Sequence, residues 1–209
     1  ETALADAGHA DERDELRRAL CAAAREGVEE QVELSPTPDK RRPPFLHDVD
    51  AEARPSLHGL PDRHRLGLAL RMQRLDSLGM TRLHLLALAS IIEGEARVNS
   101  ERSVISAVYW NRIKKGMALQ ADPTVQYAIQ MATGSRKSRL LLKDYGFPSP
   151  YNTYLNTGLP PGPVNSPGKA SIEAALYPAP VPYLFFVAAG DGHHVFTRTY
   201  GEHLQAIAR

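Results

Sequence analysis

Two glutamates, Glu93 and Glu95, close an almost uninterrupted apolar run, Leu85-Leu86-Ala87-Leu88-Ala89-Ser90-Ile91-Ile92. If the run is helical, Leu85, Leu86 and Ala89 share a face with Glu93, so the Glu93 carboxyl leaves the apolar stripe. Desolvation there raises a carboxyl's pKa, and the negative end of the helix dipole pushes the same way. The predicted group is a carboxylic acid that keeps its proton near neutral pH, which is what general acid catalysis requires. Arg97, one turn on, offers the opposite reading, an ordinary ion pair that pulls the pKa down. Glu95, rotated from Glu93 by about 200°, falls on the far face.

His193, His194 and His203 form a second group of reactive side chains. Alternation along a strand points the first two to opposite faces. No cysteine or carboxylate stands at ligand spacing, so the pattern predicts no metal and no cofactor, and turn and core roles are expected. Cys21 is the single cysteine; that excludes an intrachain disulfide, and its alanine-rich neighbours predict a helix packing position. Charge is balanced, with 25 Lys+Arg against 24 Asp+Glu. The clusters Lys40-Arg41-Arg42 and Arg136-Lys137-Ser138-Arg139 are short, lack aromatic interleaving and read as solvated loops, so no nucleic-acid partner is implied. No run reaches the roughly eighteen apolar residues of a membrane span.

The elements that must position these groups divide the chain into three. Residues 1–34 are a helical region of uncertain role, charged and alanine-rich with helical spacing over 11–31. Residues 35–63 collect Pro36, Pro38, Pro43, Pro44, Pro55 and Pro61 and read as a linker or long loop. Residues 64–209 form the main domain, starting with a helix of Leu66, Leu68, Leu70 and Met72 that Gly79 closes. After the glutamates, a helix starting at Asn99 or Ser100 buries Ile105, Val108, Tyr109 and Ile113 and stops at Gly116. Asp122 then caps a further helix, with Pro123 in its first turn. The proline-rich stretch from Phe147 to Pro167 is a long loop anchored by Tyr151, Tyr154 and Leu159, and loops of that length are usually binding surfaces. Asn165-Ser166-Pro167 starts a helix toward Leu176. Tyr183 to Val187 is a buried strand that Gly190-Asp191-Gly192 turns into a second, His193 to Thr197, before a final helix. The fold class is α+β, a helical core with a small antiparallel sheet.

One set of segments resembles a known family. It comprises Ala89-Ser90-Ile91-Ile92-Glu93-Gly94-Glu95-Ala96, Asn111 to Met117, Leu119-Gln120 and Asp122-Pro123-Thr124-Val125. Tyr151-Asn152-Thr153-Tyr154, Gly158 to Pro163, Gly192 to Phe196 and Glu202-His203 complete it. In this order and spacing they resemble the YceG/MltG family of endolytic murein transglycosylases over roughly residues 80 to 209. The resemblance implies a bacterial enzyme of the inner membrane, single-pass anchored through a segment absent from this chain, with its catalytic domain on the outer side. It would cut peptidoglycan glycan strands internally beside peptidoglycan synthases. It also implies that Glu93 is the catalytic residue.

Most glycosidases need two carboxylates. Asp122 and Glu101 are the candidates for a second, though Asp122 is better explained as a cap and Glu101 as a helix-dipole partner. A lytic transglycosylase avoids the requirement, because the muramic C6 hydroxyl replaces water and one carboxyl acts first as acid and then as base. The expected product is a 1,6-anhydroMurNAc end. The alternatives are a muramidase using water and a second carboxylate, and a wall-binding module without activity. Candidate substrate contacts are Gln120, Asp122, Thr124, Asn152, Thr153 and Tyr154, with Tyr127 as a stacking surface. Asn111 and Arg112, late on their helix, are expected to brace the loop.

Overall fold

A computed structural model of the chain describes residues 61–209, excepting the side chains of 62–65. The expectations for Cys21, for residues 1–34 and for nearly all of the proline-rich stretch lie outside the described residues.

Helix α1 (Asp62–Ser77) ends before Gly79, whose φ of 64° supplies the left-handed turn that glycine adopts without strain. The chain then bends by 93° into α2 (Arg82–Glu95). Thr81 caps α2 by accepting the His84 N–H at 3.1 Å. Every residue from Ala87 to Ile92 is buried, so α2 is the central element rather than an amphipathic surface helix. It packs most extensively on α5 (Lys169–Leu176), and also on α3 (Arg102–Lys114) and α4 (Asp122–Thr133). Among the described residues no single helix is long and apolar enough to cross a membrane.

A 3₁₀ turn, Asn99–Glu101, precedes α3. The expected stripe of Ile105, Val108, Tyr109 and Ile113 is buried, and Gly116 follows the helix with φ 68°. A second, smaller core of Val125, Ile129, Leu140 and Tyr145 sits under α4, with Phe147 and Tyr154 packed against it.

Strands β1 (Phe185–Ala188) and β2 (His194–Thr197) pair antiparallel, with Phe185 opposite Thr197 and Ala188 opposite His194. Helix α6 (Tyr200–Ile207) closes the fold through a capping box between Thr199 and Glu202. The architecture is the α+β arrangement expected, a helical core with one two-stranded sheet.

Three local expectations are corrected. Asp122 is not a cap: Ala121 occupies that position without a side-chain bond, and Asp122 is the first helical residue. The helix expected from Asn165 begins only at Lys169, with Gly168 as its N-cap. The first strand starts at Phe185 rather than Tyr183, and of its residues only Phe185 is buried.

The long loop is pinned rather than loose. The Asn152 side-chain amide donates to the carbonyls of Tyr145 and Phe147, both at 2.9 Å. The Val164 N–H donates to the buried Ser90 hydroxyl at 2.9 Å, tying the loop to α2.

Candidate active site

Helix α2 delivers Glu95 into a cleft whose walls come from α3, the start of α4, and the sheet. The buried Tyr109 hydroxyl donates to Glu95 Oε1 at 3.1 Å. Burial, and after it the Glu95 charge, push the Tyr109 phenol well above its ordinary value, so it stays a donor. On the opposite wall Asp122 Oδ1 accepts the Tyr154 hydroxyl at 2.6 Å. Phe185, Phe186 and Ala188 of β1 and His194 of β2 form an apolar side. The cavity measures about 140 Å³, below the ~300–1,000 Å³ of pockets that engulf a ligand, so a saccharide would lie across it rather than inside it.

Gln120 joins α3 to α4 with a φ of 53°, the positive value seen only at Gln120 among the described non-glycine residues. Two bonds hold that conformation. Its N–H donates to the Thr153 carbonyl at 3.0 Å, and its Oε1 accepts from Arg112 Nη1 at 3.1 Å. Arg112 also donates to the carbonyls of Leu184, Ala118 and Leu119, so one guanidinium ties β1 to the Gln120 segment. Asn111 donates to the carbonyls of Val181 and Tyr183. Both residues therefore brace, but the segments before β1 and around Gln120 rather than the proline-rich loop, and Arg112 also lines the cleft.

Glu93 is in a different environment from the one its spacing predicts. Its Oε1 accepts from Arg102 Nη2 at 3.2 Å, and its Oε2 accepts the Gly168 N–H at 3.0 Å and the Ser171 hydroxyl at 2.8 Å. Burial alone would raise the carboxyl. The Gly168 N–H, the Ser171 hydroxyl and Arg102 outweigh it and hold Glu93 below its ordinary value of 4.5, the reverse of the expected shift. Its side chain is 29% exposed, it is not among the cleft residues, and it joins α2 to the start of α5. Arg102, rather than the exposed Arg97, is its ion-pair partner.

The expected substrate contacts separate into two groups. Gln120, Asp122 and Tyr154 line the cleft. Thr124, Asn152 and Thr153 are buried: the Thr153 hydroxyl accepts the Ala121 N–H at 3.0 Å and lies 2.9 Å from the Thr124 hydroxyl. Asn152 Oδ1 accepts the Tyr154 N–H at 2.9 Å. Thr153 and Thr124 hold the segment that carries Gln120 and Asp122, Asn152 shapes the loop beside it, and all three are buried away from a ligand. Tyr127 packs on Tyr151 with the rings tilted by 56° and their centres 4.8 Å apart, outside the cleft.

Sequence reasoning missed Glu95, Tyr109 and His194 as cleft residues. It also misplaced two histidines. His193 precedes β2, so strand alternation does not separate it from His194, and both imidazoles reach Glu101. Among the described residues no group of three or more His, Cys, Asp or Glu side chains could hold a metal.

The model of the YceG-like family matches residues 55–209. An endolytic murein transglycosylase of Bacillus subtilis (strain 168) is 51% identical over 122 residues, 58% of this chain and 33% of the relative. The endolytic murein transglycosylase of Streptococcus pneumoniae (strain ATCC BAA-255 / R6) is 33% identical over 144 residues, 68% of this chain and 26% of that protein. The chain thus spans about a third or less of these curated relatives. A crystal structure of a yceG-like protein from Listeria monocytogenes superposes with a TM-score of 0.59 at 43% identity, covering 67% of this chain and 44% of that one. With the family model matching well over half of its length, the chain belongs to the YceG-like family.

Proposed function

We propose that this chain carries the catalytic centre of an endolytic murein transglycosylase that cuts peptidoglycan between MurNAc and GlcNAc and leaves 1,6-anhydroMurNAc ends. Its single acid and base would be Glu95. The observation that carries this reading is the position of Glu95 in a cleft, fixed by the Tyr109 hydroxyl and faced by Asp122, Gln120 and Tyr154. The activity named for the Bacillus and Streptococcus relatives supports it. Glu93, the residue its spacing favours, is engaged by three donors outside the cleft.

Protonated Glu95 donates to the oxygen linking the two sugars, the bond from that oxygen to muramic C1 breaks, and oxocarbenium character builds at C1. The C6 hydroxyl attacks C1, closing the anhydro ring, and its proton passes to the Glu95 carboxylate. Atoms and charge balance without water, and the acid is restored. Tyr109 holds the carboxyl in place, while Gln120 and Tyr154 offer polar atoms to the sugars across the groove. The enzyme would act on the outer side of the bacterial inner membrane, anchored there, beside peptidoglycan synthases.

Asp122 favours a second reading. Its carboxylate in the same cleft could activate water, making the protein a muramidase. Mass spectrometry of digested peptidoglycan separates the readings: anhydromuramic ends support transglycosylation, reducing muramic ends support hydrolysis, and intact glycan rejects both in favour of a binding module.

A further inference from the structure

Glu101, expected to do no more than favour a helix dipole, is the hub of a clamp. It sits in the 3₁₀ turn before α3 with its side chain only 12% exposed. Its Oε2 accepts His194 Nδ1 at 2.7 Å, and its Oε1 accepts the His194 N–H at 3.0 Å and His193 Nδ1 at 3.2 Å. A carboxylate only accepts, so Nδ1 carries a hydrogen, and in the neutral tautomer that this bond selects Nε2 is left with a lone pair. Phe186, edge-on at 5.3 Å, and Phe196 at 6.1 Å hold the ring plane. His194 also lines the cleft that contains Glu95. Its Nε2 has no hydrogen-bond partner among the described residues, and the side chain, 9% exposed, borders the cleft. The clamp needs only Nδ1 and the backbone N–H of His194. It leaves the second ring nitrogen as an acceptor beside the apolar Phe185, Phe186 and Ala188, on a side of the cleft that His203 also lines.

We propose that His194 is a substrate-binding residue of this cleft, its tautomer set by Glu101 so that Nε2 accepts a hydrogen bond from a hydroxyl of the bound glycan. This rests on the glycan-cleaving reading above and adds a specificity contact to it. The acceptor selects a hydroxyl-bearing ring at that subsite, and it comes from a wall that carries neither of the cleft's carboxylates.

Two measurements on the described chain test it. With Glu95→Gln to prevent turnover, purified uncrosslinked glycan oligosaccharides are titrated calorimetrically into the parent and into the added changes His194→Asn and His194→Gln. Asn replaces Nδ1 toward Glu101 and presents nothing at the Nε2 position, whereas the Gln amide reaches that position. His194→Asn should bind about ten-fold more weakly at an unchanged melting temperature, and His194→Gln should stay within about three-fold of the parent. Equal affinity of His194→Asn and parent overturns the inference alone. Absence of any glycan binding by the parent overturns the enzyme reading and the inference with it. Nitrogen-detected spectra of the parent's imidazoles avoid substitution at His194: glycan should move the His194 Nε2 resonance while Nδ1 keeps its Glu101-bonded position. An unmoved Nε2 in a glycan-saturated sample overturns the proposal.

Discussion

Glu93 and Glu95 stand two positions apart and meet opposite surroundings. Glu93 accepts from Arg102, Ser171 and the Gly168 N–H and behaves as an ionised brace between α2 and α5. Glu95 projects into the cleft against Tyr109. The sequence argument placed the two carboxyls on different faces of the helix, which agrees with the structure, but the face it favoured meets α5 rather than the cleft. It relied on a wet side to define a dry one, and α2 is buried all round from Ala87 to Ile92, leaving no wet side to read. Glu93→Gln should lower stability by about 1–3 kcal/mol in chemical denaturation, since Arg102 loses its charged partner. Cleavage per folded molecule should persist; loss of all cleavage in a folded Glu93→Gln protein would restore Glu93 as the acid. A similar separation applies to Thr153. Thr153→Val strips the buried Ala121 N–H of its acceptor and should cost about 1–3 kcal/mol. If Thr153 were a sugar contact, KM would rise with no change in stability.

Elements were more legible than sites. The apolar run gave α2, Gly79 and Gly116 marked helix ends, and Gly190-Asp191-Gly192 marked the hairpin. Boundaries near functional segments were not legible, because long-range partners set them. Gly168 begins α5 with its N–H on Glu93, and Asp122 is drawn from capping to Tyr154. The 3₁₀ turn and the hairpin are joined through Glu101, whose carboxyl is raised by burial but lowered further by His194 and His193, and so lies below its ordinary value of 4.5. A depressed folded pKa contributes stability that is fully present above the unfolded value and is lost as pH falls through the folded one. The melting temperature should therefore be insensitive to Glu101 ionisation at pH 6–7 and should drop below about pH 4.5, to which Glu93 adds in the same direction. Glu101→Gln should flatten part of that acid limb; an unchanged limb would show that the clamp contributes nothing.

At the scale of the whole molecule, two hydrophobic clusters meet at the segment 119–125. Arg112 and Thr153 fix that segment, and the cleft opens beside it, with the sheet as another of its walls. A groove this small and open suits a strand lying across it, so early digests of long glycan should contain mainly long fragments. A ladder dominated by released disaccharides from the start would contradict internal cutting. Gln120 lines the cleft and Thr153 belongs to the buried scaffold that shapes it, and a linear sequence cannot tell the two apart because burial separates them only after folding. The most direct test of the account is mass spectrometry of peptidoglycan digested by wild-type, Glu95→Gln and Glu93→Gln protein, each first shown to be folded. The account predicts anhydromuramic ends from wild type and Glu93→Gln and none from Glu95→Gln. Anhydromuramic ends released by Glu95→Gln at the wild-type rate would contradict it.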